Sequence, residues 1–100
     1  MKSIMHDKKE GTCYLCKRLN GDYYPKQTQE HHAIFGTWGR DLAEKHGLKV
    51  YLCLYHHTEG KMAVHRNQNM ARILQKDAQE AFEKTHTHEE WMEIFGRNYL

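Results

Sequence analysis

The sequence predicts an α+β fold. Three observations carry that expectation: two cysteine-bearing turns at Cys13–Cys16 and Cys53–His56, two short strand-like runs between them, and a helical stretch over the last third of the chain. A chain of 100 residues makes one domain, 1–100, and one this small buries so modest a fraction of its surface that a bound structural metal would help it fold. Its composition, 39% hydrophobic and 28% charged, is that of an ordinary soluble protein.

The elements follow in order. CYLC at 13–16 has the spacing of a tight turn. Pro25 then separates that turn from QTQEHHAI at 27–34, which is polar but free of strong breakers and reads as a strand leading to the histidine pair. A short helix is expected from about Asp41 to His46, stopped by Gly47, where a left-handed residue is needed. LKVYLCL at 48–54 is the best strand, rich in β-branched, aromatic and aliphatic side chains. The longest helix is expected from about Arg66 to Lys84, with Met70, Ile73, Leu74, Ala78, Ala81 and Phe82 on one face turned to the strands. A closing helix follows Thr87, which has capping-box spacing to Glu90, and offers Trp91, Ile94 and Phe95 before Gly96.

No run reaches the roughly 18 apolar residues of a membrane span, and MKSIMHDKKEGT lacks the apolar core of a signal peptide. A cytoplasmic protein with no membrane partner is expected. Three cysteines leave one over from any disulfide, and a reducing compartment favours metal ligation over pairing. The net charge of +2 conceals an asymmetry: residues 1–76 hold 13 Lys and Arg against 7 Asp and Glu, whereas residues 77–100 hold 2 against 6. The basic part suits phosphate, and charge alone suits an ordinary solvated face equally well.

Cys13 and Cys16 offer two thiolates at C-x2-C spacing, and Cys53 with His56 repeats it with an imidazole at the end. Together they make a Cys3His set for structural zinc; the alternative is three small side chains filling a core. Eight of the nine histidines, His57 beside the second turn among them, have no place in that set. His31 and His32 are adjacent on a strand and point to opposite sides, so one can hold a metal while the other works on substrate. His6, His46, His86 and His88 have no partnered spacing and read as surface histidines, and Tyr23, Tyr24 and Trp38 as side chains packed around the zinc turns, the alternative being aromatic rings that stack on bases.

C-x2-C, then a strand ending in HH, then LCLYHH and a further His in VH at 64–65, resembles the HNH endonucleases of the ββα-metal fold. With the closing FG at 95–96, the chain most resembles the recombination enhancement, RecA-dependent nucleases of phages and prophages, over roughly residues 13–96. The resemblance implies a zinc-stabilised ββα-metal domain, its active-site hairpin and helix start at about 28–66, with an added C-terminal helical segment at about 66–96. It implies His32 as general base and His31, His57 and His65 as ligands of one catalytic divalent metal. Three imidazoles suit zinc, nickel, cobalt or manganese better than magnesium, though substrate oxygens and waters leave magnesium open.

The implied reaction is hydrolysis of DNA with little sequence preference, leaving 5′-phosphate and 3′-hydroxyl ends, in a phage or prophage setting where a recombinase filament is the partner by resemblance. Arg40, Lys49, Lys61 and Arg66 flank the site in sequence as candidate phosphate contacts. One departure stands out: the Asn that in HNH sites precedes the LC is missing, and no Asn lies between positions 21 and 66. A backbone carbonyl or another side chain must then orient His32. The alternative function is a zinc-stabilised DNA-binding module that cleaves weakly or not at all.

Overall fold

A computed structural model describes the chain from Met1 to Leu100, the side chain of Thr37 excepted. The fold is α+β: a two-stranded antiparallel ribbon, β1 (Gln29–His32) and β2 (Lys49–Leu52), with four helices, α1 (Tyr14–Asn20), α2 (Thr37–His46), α3 (Gln68–Phe82) and α4 (His88–Phe95). Register sets Gln29 opposite Leu52, Glu30 opposite Tyr51, His31 opposite Val50 and His32 opposite Lys49. Paired residues share a face, so Gln29, His31, Val50 and Leu52 line one side and Glu30, His32, Tyr51 and Lys49 the other. No helix is long and apolar enough to cross a membrane.

Two short strands cannot bury an edge by themselves. The N-terminal arm covers that of β2: Ile4 N–H donates to the Gly47 carbonyl at 2.9 Å, and Tyr51 N–H to His6 Nδ1 at 3.1 Å. His6, expected at the surface, is therefore buried, with Nε2 3.2 Å from Thr12 Oγ1. An otherwise unpaired strand N–H has drawn an imidazole inward, and spacing within one segment carries no trace of such a contact. Gly47 ends α2 in the left-handed region at φ 70°, as expected, and a side chain there would run into the Lys2 carbonyl oxygen.

One helix was not expected at all, and another starts earlier than expected. α1 forms directly on the first cysteine turn, with Cys13 as its N-cap. α2 begins at Thr37 and not Asp41, passing through Gly39. That glycine weakens helix propensity, but a Cβ there would lie 3.0 Å from Ile34 Cγ2, so it permits close approach to the end of the ribbon. The first strand is shorter than the expected 27–34.

α3 starts where Asn67 caps it, its Oδ1 accepting from the Asn69 and Met70 N–H groups at 3.0 and 3.4 Å. Met70, Leu74, Ala78 and Phe82 are buried as the periodicity required, and Ala71 and Gln79 join them. Gln79 is fully enclosed because its amide donates to Glu83 and Asn98 and accepts from the Tyr99 N–H at 2.6 Å, tying down the C-terminal segment. α4 carries the expected capping box of Thr87 and Glu90 and buries Trp91, which stacks on Phe95 and meets Phe82 edge-on. Leu15, Leu48, Val50, Leu52, Leu74 and Trp91 share one core beneath the ribbon and helices.

Candidate metal centres

The first cluster forms where α1 meets the end of β2. Cys13 caps α1, its Sγ 3.5 Å from the Cys16 N–H. Cys53 follows the last residue of β2, and a wide π-type helical turn at Tyr55–Glu59, closed by the Gly60 N–H on the Tyr55 carbonyl at 2.9 Å, swings His56 inward. His56 Nδ1 lies 3.6, 3.4 and 3.4 Å from the sulfurs of Cys13, Cys16 and Cys53, and the Cys16 and Cys53 sulfurs are 3.9 Å apart.

These separations test the fit. A tetrahedral zinc with Zn–S near 2.3 Å and Zn–N near 2.05 Å would space its ligands about 3.8 Å (S to S) and about 3.5 Å (S to N) apart. These four separations already stand close to that spacing, with all four atoms within 4.8 Å of one another, and the Cys16 and Cys53 sulfurs are far beyond a disulfide bond length of about 2.05 Å. Burial, with the Cys13 and Cys53 sulfurs close by, pushes the Cys16 thiol up to about 12. That environment opposes ionisation of Cys16 in the bare protein, and a dication beside its sulfur would reverse the effect. Cys13, Cys16, Cys53 and His56 can hold a structural metal such as zinc.

The second cluster shares the same turn. His57 follows His56 and faces away from the sulfurs, toward His31 on β1. The Val64 and His65 N–H groups bond the His56 and His57 carbonyls at 2.8 and 3.3 Å, laying the 64–65 segment along the turn and His65 beside His57. Ring centroids stand 5.4 Å (His31 to His57), 5.2 Å (His31 to His65) and 4.7 Å (His57 to His65) apart. His57 Nε2 and His65 Nε2 are 3.1 Å apart, near the roughly 3.3 Å that two imidazoles on one tetrahedral ion require.

Two details favour a cation there. His31 Nε2 is buried and has no hydrogen-bond partner among the described residues, a condition that ordinarily costs about 1–3 kcal/mol. His57 Nδ1 lies 2.7 Å from Gln29 Oε1 and so donates to it, which leaves the Nε2 lone pair for a ligand. Burial, with His57, His65 and His32 nearby, pulls His31 down to about 3, so its imidazole stays neutral at physiological pH. Gln29 is a second-layer residue that sequence reasoning missed; its position two before His31 on a strand was the available signal.

His32 lies on the other face of the ribbon. Its Nε2 is 2.9 Å from Glu44 Oε1 on α2 and 3.7 Å from Glu30 Oε1. Lys49 reaches both Glu44 oxygens at 3.1 Å and Glu30 Oε2 at 3.4 Å, and the Met1 α-amino group lies 2.8 Å from Glu44 Oε2. Met1, His32 and Lys49 together hold the Glu44 carboxyl well below the usual carboxylate range. Lys49, expected as a phosphate contact, is buried and ion-paired on this face, which removes it from the free cations. Arg40 and Lys61 are exposed, and exposed Arg66 donates to the Glu59 carbonyl at 3.0 Å.

Tyr23, Tyr24 and Trp38 do not pack around the zinc turns; they are 67%, 75% and 82% exposed. Lys17 and Lys26 lie over the Tyr23 and Tyr24 rings at 5.5 and 5.9 Å, a surface contact in place of burial. His46 packs edge-on against Phe82 and Phe95, while His86 and His88 are at the surface as expected. Among known proteins, no family model, no curated protein and no solved structure matches the chain, so the case for its function rests on these clusters.

Proposed function

We propose that the chain is a divalent-metal-dependent endonuclease that hydrolyses DNA phosphodiester bonds, an HNH-type enzyme whose Cys3His site holds structural zinc. The observation that carries this reading is the convergence of His31, His57 and His65, with a buried His31 Nε2 that lacks a partner. A structural site has no use for a second, protein-incomplete ligand set one residue away from a complete one. Three protein ligands leave room for substrate or water, the hallmark of a reactive centre.

In this reading His31, His57 and His65 would hold a divalent ion, and Gln29 on Nδ1 fixes the His57 ring and leaves its Nε2 lone pair for that role. The chemistry a divalent ion supplies when bound is electrostatic stabilisation of charge developing on the phosphate and the leaving oxygen. His32 closes β1, with Nε2 committed to Glu44, and takes a proton from the attacking water through Nδ1. Exposed Arg40, Lys61 and Arg66 meet the backbone phosphates.

Incubating the protein with plasmid and single-stranded DNA across zinc, nickel, cobalt, manganese and magnesium tests the proposal. Cleavage in at least one metal is expected, with His32→Ala slowing it by about 10²-fold or more while DNA affinity and metal content persist. A parent protein that cleaves neither DNA form in any metal, yet binds DNA, would make this a zinc-stabilised binding module. The placement of His32 across the ribbon from the three imidazoles is what gives that second reading its weight.

A further inference from the structure

We infer that Glu44, clamped by Lys49, is the positioning residue for His32: it holds the imidazole in the tautomer that carries its proton on Nε2 and presents Nδ1 as the free lone pair. The inference rests on the nuclease reading for its functional meaning and on geometry for its substance. His32 Nε2 stands 2.9 Å from Glu44 Oε1, and a carboxylate is an acceptor only, so that nitrogen must be the donor. The bond places the proton on Nε2 in the neutral ring. Among the described residues Nδ1 has no hydrogen-bond partner, which leaves it for a water or a substrate proton.

The clamp is built from three elements. His32 ends β1, Lys49 opens β2 directly across from it, and Glu44 stands on α2, which connects the two strands. Lys49 touches both Glu44 oxygens at 3.1 Å and is only 7% exposed, so it fixes the carboxylate in two dimensions and is screened from solvent. Glu44 is itself 41% exposed, and its hold comes from having several partners at once: Lys49 on both oxygens and the Met1 α-amino group at 2.8 Å from Oε2. Glu30 on the same face stands farther from His32, at 3.7 Å, and bonds Lys49 at 3.4 Å, which makes it a support of the lysine more than of the imidazole. A carboxylate on one ring nitrogen sets the tautomer and the orientation of the ring.

The test reads the His32 ring itself. Nitrogen-15 correlation spectra of the metal-loaded protein should show a protonated Nε2 and an unprotonated Nδ1, and Glu44→Ala should shift His32 toward a tautomer mixture. Glu44→Gln, which keeps an acceptor oxygen and guards against loss of fold, should preserve the tautomer. On DNA cleavage, Glu44→Ala should lower kcat by roughly 10-fold or more with KM unchanged, by analogy with the loss of partners that orient catalytic or ligating histidines. In a His32→Ala background it should do nothing further. A His32 tautomer identical in the parent and in Glu44→Ala, or an equal additional loss of rate in the His32→Ala background, would overturn the inference. A parent that shows the tautomer and its Glu44 dependence but never cleaves DNA would sustain the positioning role and overturn the nuclease reading, so the two failures are distinguishable.

Discussion

The Cys3His and three-imidazole clusters grow from one turn yet differ in ligand number, ligand type and burial. The Cys3His set is closed by four protein ligands at tetrahedral spacing, and Cys13, Cys16 and His56 are buried. The three-imidazole set has three ligands, with His65 exposed, His57 half-buried and only His31 enclosed. Adjacent residues His56 and His57 serve one set each because the π-type turn directs them apart. What this teaches is that a single short motif can supply residues to two candidate metal sets, one closed and one open, because the turn sends neighbouring side chains in different directions.

Breaking the Cys3His set should have the largest effect. Cys13→Ser removes a fully buried ligand, and structural zinc in small domains contributes on the order of 10 kcal/mol, comparable with the whole stability of a domain this size. Circular dichroism should show unfolding together with loss of the thiolate-bound ion. A variant that kept its zinc and its melting temperature would remove that set's structural role from the account.

Breaking the other site should leave the fold standing. His57→Ala is expected to abolish DNA cleavage and cut the metal count by one per chain, with stability changed by no more than about 1 kcal/mol, as for a half-buried residue outside the core. Unfolding with loss of all metal would show that the roles of His56 and His57 are divided wrongly.

Acid separates the sites more gently. With the three-imidazole site emptied by a weak chelator, His31 stays neutral in the fold down to about 3, whereas in the unfolded chain it takes a proton near 6.5. Between those values the unfolded chain binds one proton more, so His31's contribution is fully present above pH 6.5 and is lost as pH falls toward 3. The slope is at most about 1.4 kcal/mol per pH unit. Denaturant titrations in the upper part of that window, where the thiolates still hold zinc, should show His31→Leu flattening the profile. An unchanged slope would mean another group titrates there.

The smallest expected change comes from Gln29→Ala. Freed from Oε1, the His57 ring loses its fixed tautomer, and affinity at the three-imidazole site should fall by about 10-fold with the zinc site untouched. Calorimetric titration of the second metal checks it; equal affinity in both proteins would leave Gln29 without a role.

Ligand types at repeated spacing were legible because a metal ion needs them close together whatever lies between, as Cys13, Cys16, Cys53 and His56 show. Helix α4 was legible through its capping box, and α3 through its periodic apolar face. What escaped depends on contacts between distant segments. The burial of His6 follows from a strand edge needing a partner 45 positions away. The loss of Lys49 to an ion pair follows from α2 folding back over the ribbon. Helix α1 was obscured because the same four residues that read as a metal turn also serve as its N-cap and first turn.

Cobalt titration tests the two-site claim most directly, because thiolate-bound and imidazole-bound Co2+ have different absorption. The metal-free protein, refolded with increasing Co2+, should saturate at two ions per chain: the first with a sulfur-to-metal charge-transfer band, the second without one and absent from His57→Ala. Saturation at a single thiolate-bound ion, in parent and His57→Ala alike, would contradict the account and leave His31, His57 and His65 as three neighbouring histidines with no metal to hold.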